Sequence, residues 1–321
     1  MNILIVKLSS LGDVVHAMPA VQDLRAAFPA ARIDWVVERG FAPLVERCEG
    51  VRRAIPCELR RWRKAPLARV TRHEWRAFRE DLHRERYDAV IDLQGLTKSA
   101  LVAHMARLAP GGRRYAMANR TEGSSYEAPT RWVADVAVPV DPQSHAVQRS
   151  RELCARALGY AAQGTPRFGL GRAGGERDDT VVLIHGTSRD DKCWPEPHWL
   201  ALGARLLAQG HRIGLPHGSE AERERSERIA QALGPGAEVW PKLSLDALTA
   251  RMARAAGAIG VDSGLSHIAV ALDLPHVQIY NFDTSWRTGP LDAVRQRSVY
   301  GSPAPGVDAV WQAWQAVTIP G

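Results

Sequence analysis

Ile3-Leu4-Ile5-Val6-Lys7-Leu8-Ser9-Ser10-Leu11-Gly12-Asp13 opens the chain, and Val14 to Ala27 continues it as a mostly apolar, helix-compatible stretch. A short β-branched run that ends in small hydroxyl residues and then enters a helix is the first half of a β-α-β unit. The helix is expected to stop before Pro29, with Pro19 a place for a kink. Gly12 stands alone, so the three-glycine pattern that brings backbone close to a dinucleotide pyrophosphate is missing. Hydride-transfer chemistry loses its main support. Asp13 has two readings. It can be a helix N-cap worth about 1 kcal/mol, or a carboxylate beyond a strand's end placed to accept a proton, and both can hold together.

Outward from this stretch the pattern repeats. Ile33 to Val37, Val51 to Ile55 and Tyr87 to Leu93 read as strands, with a helix from Glu74 to Arg84 before the last of them. After a helix from Ala146 to Leu158, the residues from Tyr160 to Asp179 are rich in Gly and Arg and carry no period. Strand-like runs then resume at Val181 to Ile184, Arg212 to Leu215, Glu238 to Trp240, Ala258 to Val261 and Val277 to Tyr280. The expectation is an α/β protein of two Rossmann-like domains facing across a cleft: residues 1–160, a linker at 161–179, and residues 180–304. Val310, Trp311, Trp314 and Val317 fall at helical spacing, so residues 305–321 should form a helix that docks on one domain or bridges both.

At 321 residues the chain has room for two cores. Lys and Arg outnumber Asp and Glu by 42 to 35, which favours an anionic partner. The four cysteines, Cys48, Cys57, Cys154 and Cys193, lack the spacing of a zinc site or disulfide framework, which fits a reducing cytoplasm. No apolar run reaches the roughly 18 residues of a spanning helix, so any membrane contact should be peripheral.

Three further stretches carry chemistry. His185-Gly186-Thr187-Ser188, followed by Arg189 to Pro195, offers hydroxyls and Lys192 to a phosphate, or is simply a solvated loop. Asp262-Ser263-Gly264-Leu265-Ser266-His267 lies between a strand and a helix, where amides at a helix N-terminus can cradle a diphosphate; His267 alone would otherwise be a packed helical histidine. Arg60-Arg61-Trp62-Arg63-Lys64 is a solvated face or an anion-binding patch. No nucleic-acid-binding motif accompanies it, and nucleic acid is not expected as a partner. The Asp190-Asp191 pair is too common a pattern to indicate a metal, and neither a metal nor a cofactor is expected.

Together these residues resemble the bacterial heptosyltransferases with the GT-B fold. The resemblance rests on Ile5 to Asp13, Asp34-Trp35-Val36-Val37-Glu38, Arg60 to Lys64, Tyr87 to Asp92, His145-Ala146-Val147, Arg189 to Pro195 and Asp262 to His267. It implies transfer of L-glycero-D-manno-heptose from ADP-heptose to a Kdo sugar of Kdo-lipid A, by a protein peripheral on the cytoplasmic face of the inner membrane. It also implies residue roles. Asp13 falls on the general base and Lys192 on the catalytic contact to the donor diphosphate, with Thr187, Ser188, Asp262, Ser263, Gly264 and His267 around it. Glu222 falls on the holder of the ribose, and Leu243, beside Lys242, on the adenine side. The acceptor side takes Ser10, Gly12, Arg60, Arg61, Arg63, Lys64, His145, Gln148 and Arg149. Where the family often carries a Gly-Pro-Thr-Asp-like turn, this chain has Asn281-Phe282-Asp283-Thr284. The alternatives are a sister enzyme adding a later heptose and a non-catalytic binder of anionic glycolipid. The sequence specifies no oligomeric state.

Overall fold

The computed structural model describes residues 1–171, 177–292 and 294–318. The chain divides into two compact units, Met1–Leu170 and Gly171–Gly321. The expected linker lies partly outside the described residues, at 172–176. Residues 161–170 fall within the first unit, where Leu170 bridges Cys48 and the Glu49 amide donates to the Gly169 carbonyl at 2.8 Å.

The first unit contains β1 (Asn2–Val6), α1 (Leu11–Ala27), β2 (Arg32–Glu38), α2 (Ala42–Glu46), β3 (Val51–Cys57), α3 (Leu59–Trp62), α4 (Arg69–Leu82) and β4 (Tyr87–Asp92), followed by α5 (Thr97–Met105), β5 (Leu108–Met117), α6 (Pro129–Val133), β6 (Val136–Val138) and α7 (Ala146–Leu158). Its strands form a parallel sheet in the order β3-β2-β1-β4-β5-β6. Buried strands in such a sheet need continuous apolar runs, which Ile3 to Val6 and Val90-Ile91 supply.

The second unit repeats the plan with β7 (Thr180–Ile184), α8 (Glu196–Ala208), β8 (Arg212–Leu215), α9 (Glu220–Leu233), β9 (Ala237–Val239) and α10 (Leu245–Met252), then β10 (Gly257–Val261), α11 (Gly264–Ala271), β11 (His276–Tyr280), α12 (Ser285–Thr288), β12 (Gln296–Tyr300) and α13 (Val307–Thr318). Its parallel sheet runs β12-β11-β10-β7-β8-β9. Val310, Ala313, Trp314 and Val317 of α13 sit in the core of this unit with Trp194 and Trp199. Helix α13 thus contributes to the second domain's own core.

In both sheets the strand order reverses once at the middle, between β1 and β4 and between β7 and β10. Connections leave in opposite directions there, which opens a crevice at the strands' carboxyl ends. In the first sheet Val6 and Asp92 are register partners at this point, and in the second Ile184 pairs with Gly260. Gly260 is required by space, since a Cβ would stand 2.7 Å from the Ile184 Cβ and 2.4 Å from the Ser266 hydroxyl. The expected sites therefore fall at the two crevices.

Candidate functional site

The first crevice is built by the loop from Lys7 to Asp13. Helix α1 begins three residues earlier than Val14, with Ser10 as N-cap and Asp13 as the third helical residue, so the expectation of Asp13 as the cap itself is corrected. The Asp13 Oδ2 accepts the Ser10 amide at 3.0 Å and the Ser10 hydroxyl at 2.8 Å. Oδ1 lies 3.7 Å from the Lys7 ammonium, and the Asp13 side chain is 37% exposed. Burial opposes ionisation of this carboxyl, but Lys7, the two Ser10 bonds and Arg149 outweigh it and hold it below its ordinary value. The amides of Leu8 and Ser9 donate to the Gln94 side chain, which pins the loop to the segment after β4.

Four cations surround this corner. Lys7 is buried and donates to the Leu93 carbonyl at 3.0 Å; burial lowers its pKa, and Arg149 adds to the effect. Lys98 and Arg60 both donate to the Ser9 hydroxyl, at 3.2 and 3.4 Å. Arg149, buried on α7, donates to Thr121 at 3.0 Å. Behind Lys7, the buried Asp92 accepts from the amides of Gln94 and Gly95 and from Ser99, yet burial still raises its pKa to about 6.

The other acceptor-side residues scatter. The Arg61 guanidinium is engaged by Glu58 and Glu74. Arg63 and Lys64 are exposed. His145 caps α7, its Nδ1 accepting the Val147 amide at 3.1 Å, and Gln148 accepts from Arg151 at 3.2 Å. Gly12 lies in the first turn of α1. Lys7, Gln94 and Lys98 were not singled out from sequence, since only the pairing of β1 with β4 brings the latter two to Ser9.

The second crevice centres on Asp262, just beyond β10. Its Oδ2 holds the Lys192 ammonium at 2.5 Å, and its Oδ1 lies 3.4 Å from His267 Nε2, 3.4 Å from the Gln278 amide and 3.5 Å from the Thr288 hydroxyl. Burial alone would raise the Asp262 pKa, but His267 and Lys192 overcome it and hold the carboxyl far below its usual range. Thr187 donates to the Asp262 carbonyl at 3.3 Å, while Ser188 is exposed. Ser263 is the N-cap residue of α11, ahead of Gly264, and its hydroxyl oxygen is buried without a hydrogen-bond partner. His185 is neutral at pH 7, because burial lowers its pKa to about 4 while its Nε2 meets Ser226 at 2.8 Å.

Glu222 is the third residue of α9 and closes a capping box with Ser219, also accepting the Gly218 amide at 2.6 Å. It also faces Gly186, where a Cβ would meet its Oε1 at 2.5 Å. Leu243 is half-buried between β9 and α10. In the divergent turn, Asn281 donates to the carbonyls of Asp191 and Cys193 at 3.0 and 2.9 Å and so braces the loop that carries Lys192. Among the described residues, no group of three His, Cys, Asp or Glu side chains is placed to hold a metal ion. No helix among them is long and apolar enough to cross a membrane.

The model of glycosyltransferase family 9 (heptosyltransferase) matches residues 75–303. The chain is 41% identical over 287 residues, 87% of this chain and 88% of the relative, to lipopolysaccharide heptosyltransferase 1 of Escherichia coli K12. It is 39% identical to the protein of that name from Pseudomonas aeruginosa, covering 87% of this chain and 78% of the other. Among solved structures it is similar to Escherichia coli heptosyltransferase WaaC with ADP, with a TM-score of 0.87, 36% identity and coverage of 97% and 98%. The same enzyme with ADP-2-deoxy-2-fluoro heptose gives a TM-score of 0.83 at 37% identity over 97% and 98% of the two chains. The chain belongs to glycosyltransferase family 9, the heptosyltransferases, and its two Rossmann-like domains are those of a GT-B glycosyltransferase.

Proposed function

We propose that this glycosyltransferase moves L-glycero-D-manno-heptose from ADP-heptose to a Kdo sugar of Kdo-lipid A, with inversion, in assembling the lipopolysaccharide inner core. The observation that carries the acceptor assignment is the Asp13 corner: an ionised, part-exposed carboxylate among Lys7, Arg60, Lys98 and Arg149. An acceptor bearing carboxylates and phosphates meets complementary charge there. The identities with heptosyltransferases 1 support the donor and the first-heptose step.

Asp13 takes the proton of the attacking hydroxyl as that oxygen adds to the anomeric carbon and ADP departs. Its lowered pKa keeps it ionised at neutral pH at some cost in basicity, so proton transfer must accompany attack, when the hydroxyl becomes acidic. In the second crevice Lys192, held by Asp262, faces the diphosphate together with Thr187, Ser188, the Ser263 hydroxyl and the first amides of α11. Negative charge grows on the leaving ADP, so these donors act most strongly in the transition state. Glu222 and Leu243 flank the nucleoside. His145 and Gln148 position α7 so that Arg149 meets the acceptor. The basic stretch after β3 holds the protein at the cytoplasmic face of the inner membrane.

The test is ADP release from ADP-heptose by wild type and Asp13→Ala, with Kdo-lipid A, with an acceptor already carrying one heptose, and with neither. Release that needs Kdo-lipid A, adds one heptose by mass and disappears in the variant supports the reading. Turnover only on the heptose-bearing acceptor makes the chain the sister enzyme, and no turnover by folded protein returns a binding role.

A further inference from the structure

Beside the Asp13 corner, a cavity of about 400 Å³ opens between α3, α4 and α5. Its apolar walls include Trp62, Trp75 and Leu101, and Arg63, Arg72 and Lys98 also line it. Trp62 and Trp75 stand edge to face, with ring centres 5.5 Å apart. The Trp62 indole nitrogen is already spent on Glu74 at 2.8 Å, so what Trp62 offers a ligand is hydrocarbon. Leu101 of the cavity lining remains uncovered, at 49% exposed.

Charge narrows the occupant. Seven Arg and Lys residues and one acid, Glu74, fall between Leu59 and Arg76. An apolar cavity in so cationic a surface repels a quaternary ammonium and suits an alkyl chain carried by an anionic head. Lys98 fixes where that head lies. The residue lines the cavity, while its ammonium bonds the Ser9 hydroxyl beside Asp13, one lysine side chain away.

We propose that this cavity receives one acyl chain of the glycolipid acceptor, so that the enzyme grips its acceptor by lipid as well as by sugar. The inference rests on the Asp13 corner being the acceptor site. A chain displacing water from the Trp62–Trp75 wall tightens binding about fourfold for each methylene buried. That gain falls on KM, because the chain is bound equally in ground and transition states.

The test compares two Kdo-bearing glucosamine phosphate acceptors, one fully deacylated and one with a single medium-length acyl chain, kept monomeric below its critical micelle concentration. Wild type is expected to show a KM at least tenfold lower for the acylated acceptor. Leu101→Trp, which fills the cavity, and Leu101→Glu, which charges it, should each close that gap while leaving kcat and KM for the deacylated acceptor unchanged. Equal KM values in wild type, or a gap that survives both substitutions, would overturn the proposal. If Leu101→Glu loses binding to anionic phospholipid vesicles with the gap intact, the cavity serves a bilayer lipid and the proposal is wrong. Failure of the underlying reading shows separately, as turnover of the deacylated acceptor that persists in Asp13→Asn.

Discussion

Asp13 and Asp262 both lie just beyond a strand at the switch point of a parallel sheet, and both face a lysine, at 3.7 Å in one case and 2.5 Å in the other. In Asp13 one carboxylate oxygen takes both Ser10 bonds, which leaves Oδ1 with a distant ammonium and a path to solvent. In Asp262 both oxygens are engaged, by Lys192 on one side and by His267, Gln278 and Thr288 on the other. The two folds are alike and the two carboxylates are not interchangeable. One retains an oxygen able to receive a proton; the other is consumed in aiming a cation.

On the Asp262 side of this contrast, the largest effect is expected from Lys192→Ala. With Lys192 in its proposed role against the diphosphate, removing its ammonium should lower kcat/KM by roughly 10²- to 10³-fold, the scale of losing one strong transition-state donor, as read by steady-state ADP release.

Asp262→Asn should act through Lys192 and through stability. Breaking a largely buried ion pair costs about 3 kcal/mol, near the lower end of the range because Lys192 keeps some solvent contact, and urea unfolding would show it. The folded pKa of Asp262 is depressed, so its stabilisation is complete above about pH 4, the unfolded value, and is lost as pH falls below that. The variant should therefore differ most from wild type at neutral pH and converge with it in acid.

Asp92 should behave with the opposite sign. Its folded pKa of about 6 lies above the unfolded value near 3.9, so wild-type stability falls as pH rises between these values and then levels off. Asp92→Asn is expected to stabilise the protein by roughly 2 kcal/mol at pH 7 and by little at pH 4. Thermal denaturation at the two pH values checks it; destabilisation at pH 7 would mean that Asp92 is needed as an anion beside Lys7.

The smallest effect concerns Glu222. Loss of its capping box in Glu222→Ala should cost about 1 kcal/mol. If it also holds the ribose, KM for ADP-heptose rises severalfold in the same variant; an unchanged KM would leave Glu222 as a cap alone.

Much of the fold was legible because its central strands are buried on both faces and must be written as apolar runs. Ile3 to Val6, Val181 to Ile184 and Ala258 to Val261 announce themselves. Strand β12, at the edge of one sheet, and β5, beside the edge strand β6 of the other, do not. Strand β12 reads Gln-Arg-Ser-Val-Tyr and is largely exposed, and β5 is interrupted by Gly111-Gly112 and Arg113-Arg114, so neither shows a period. Helix α4 starts five residues before the expected Glu74, because its N-cap is Ala68 rather than a recognisable capping residue. For the sites, the local stretches at Asp13 and Asp262 could be read from residue type and position. Partners that arrive through strand pairing could not. Gln94 and Lys98 lie 85 and 89 residues from Ser9 in sequence, and only the β1–β4 adjacency brings them together. A basic cluster likewise hides which of its members are already paired, as Arg61 is with Glu58 and Glu74.

The most direct test of the contrast is to measure ADP affinity by calorimetry and acceptor-dependent turnover in the same preparations of Asp13→Asn and Asp262→Asn. Asp13→Asn should bind ADP as wild type does while turning over roughly 10²- to 10⁴-fold more slowly, and Asp262→Asn should lose ADP affinity. Asp13→Asn turnover within tenfold of wild type, or Asp262→Asn binding ADP normally, would contradict the division of labour between the two aspartates.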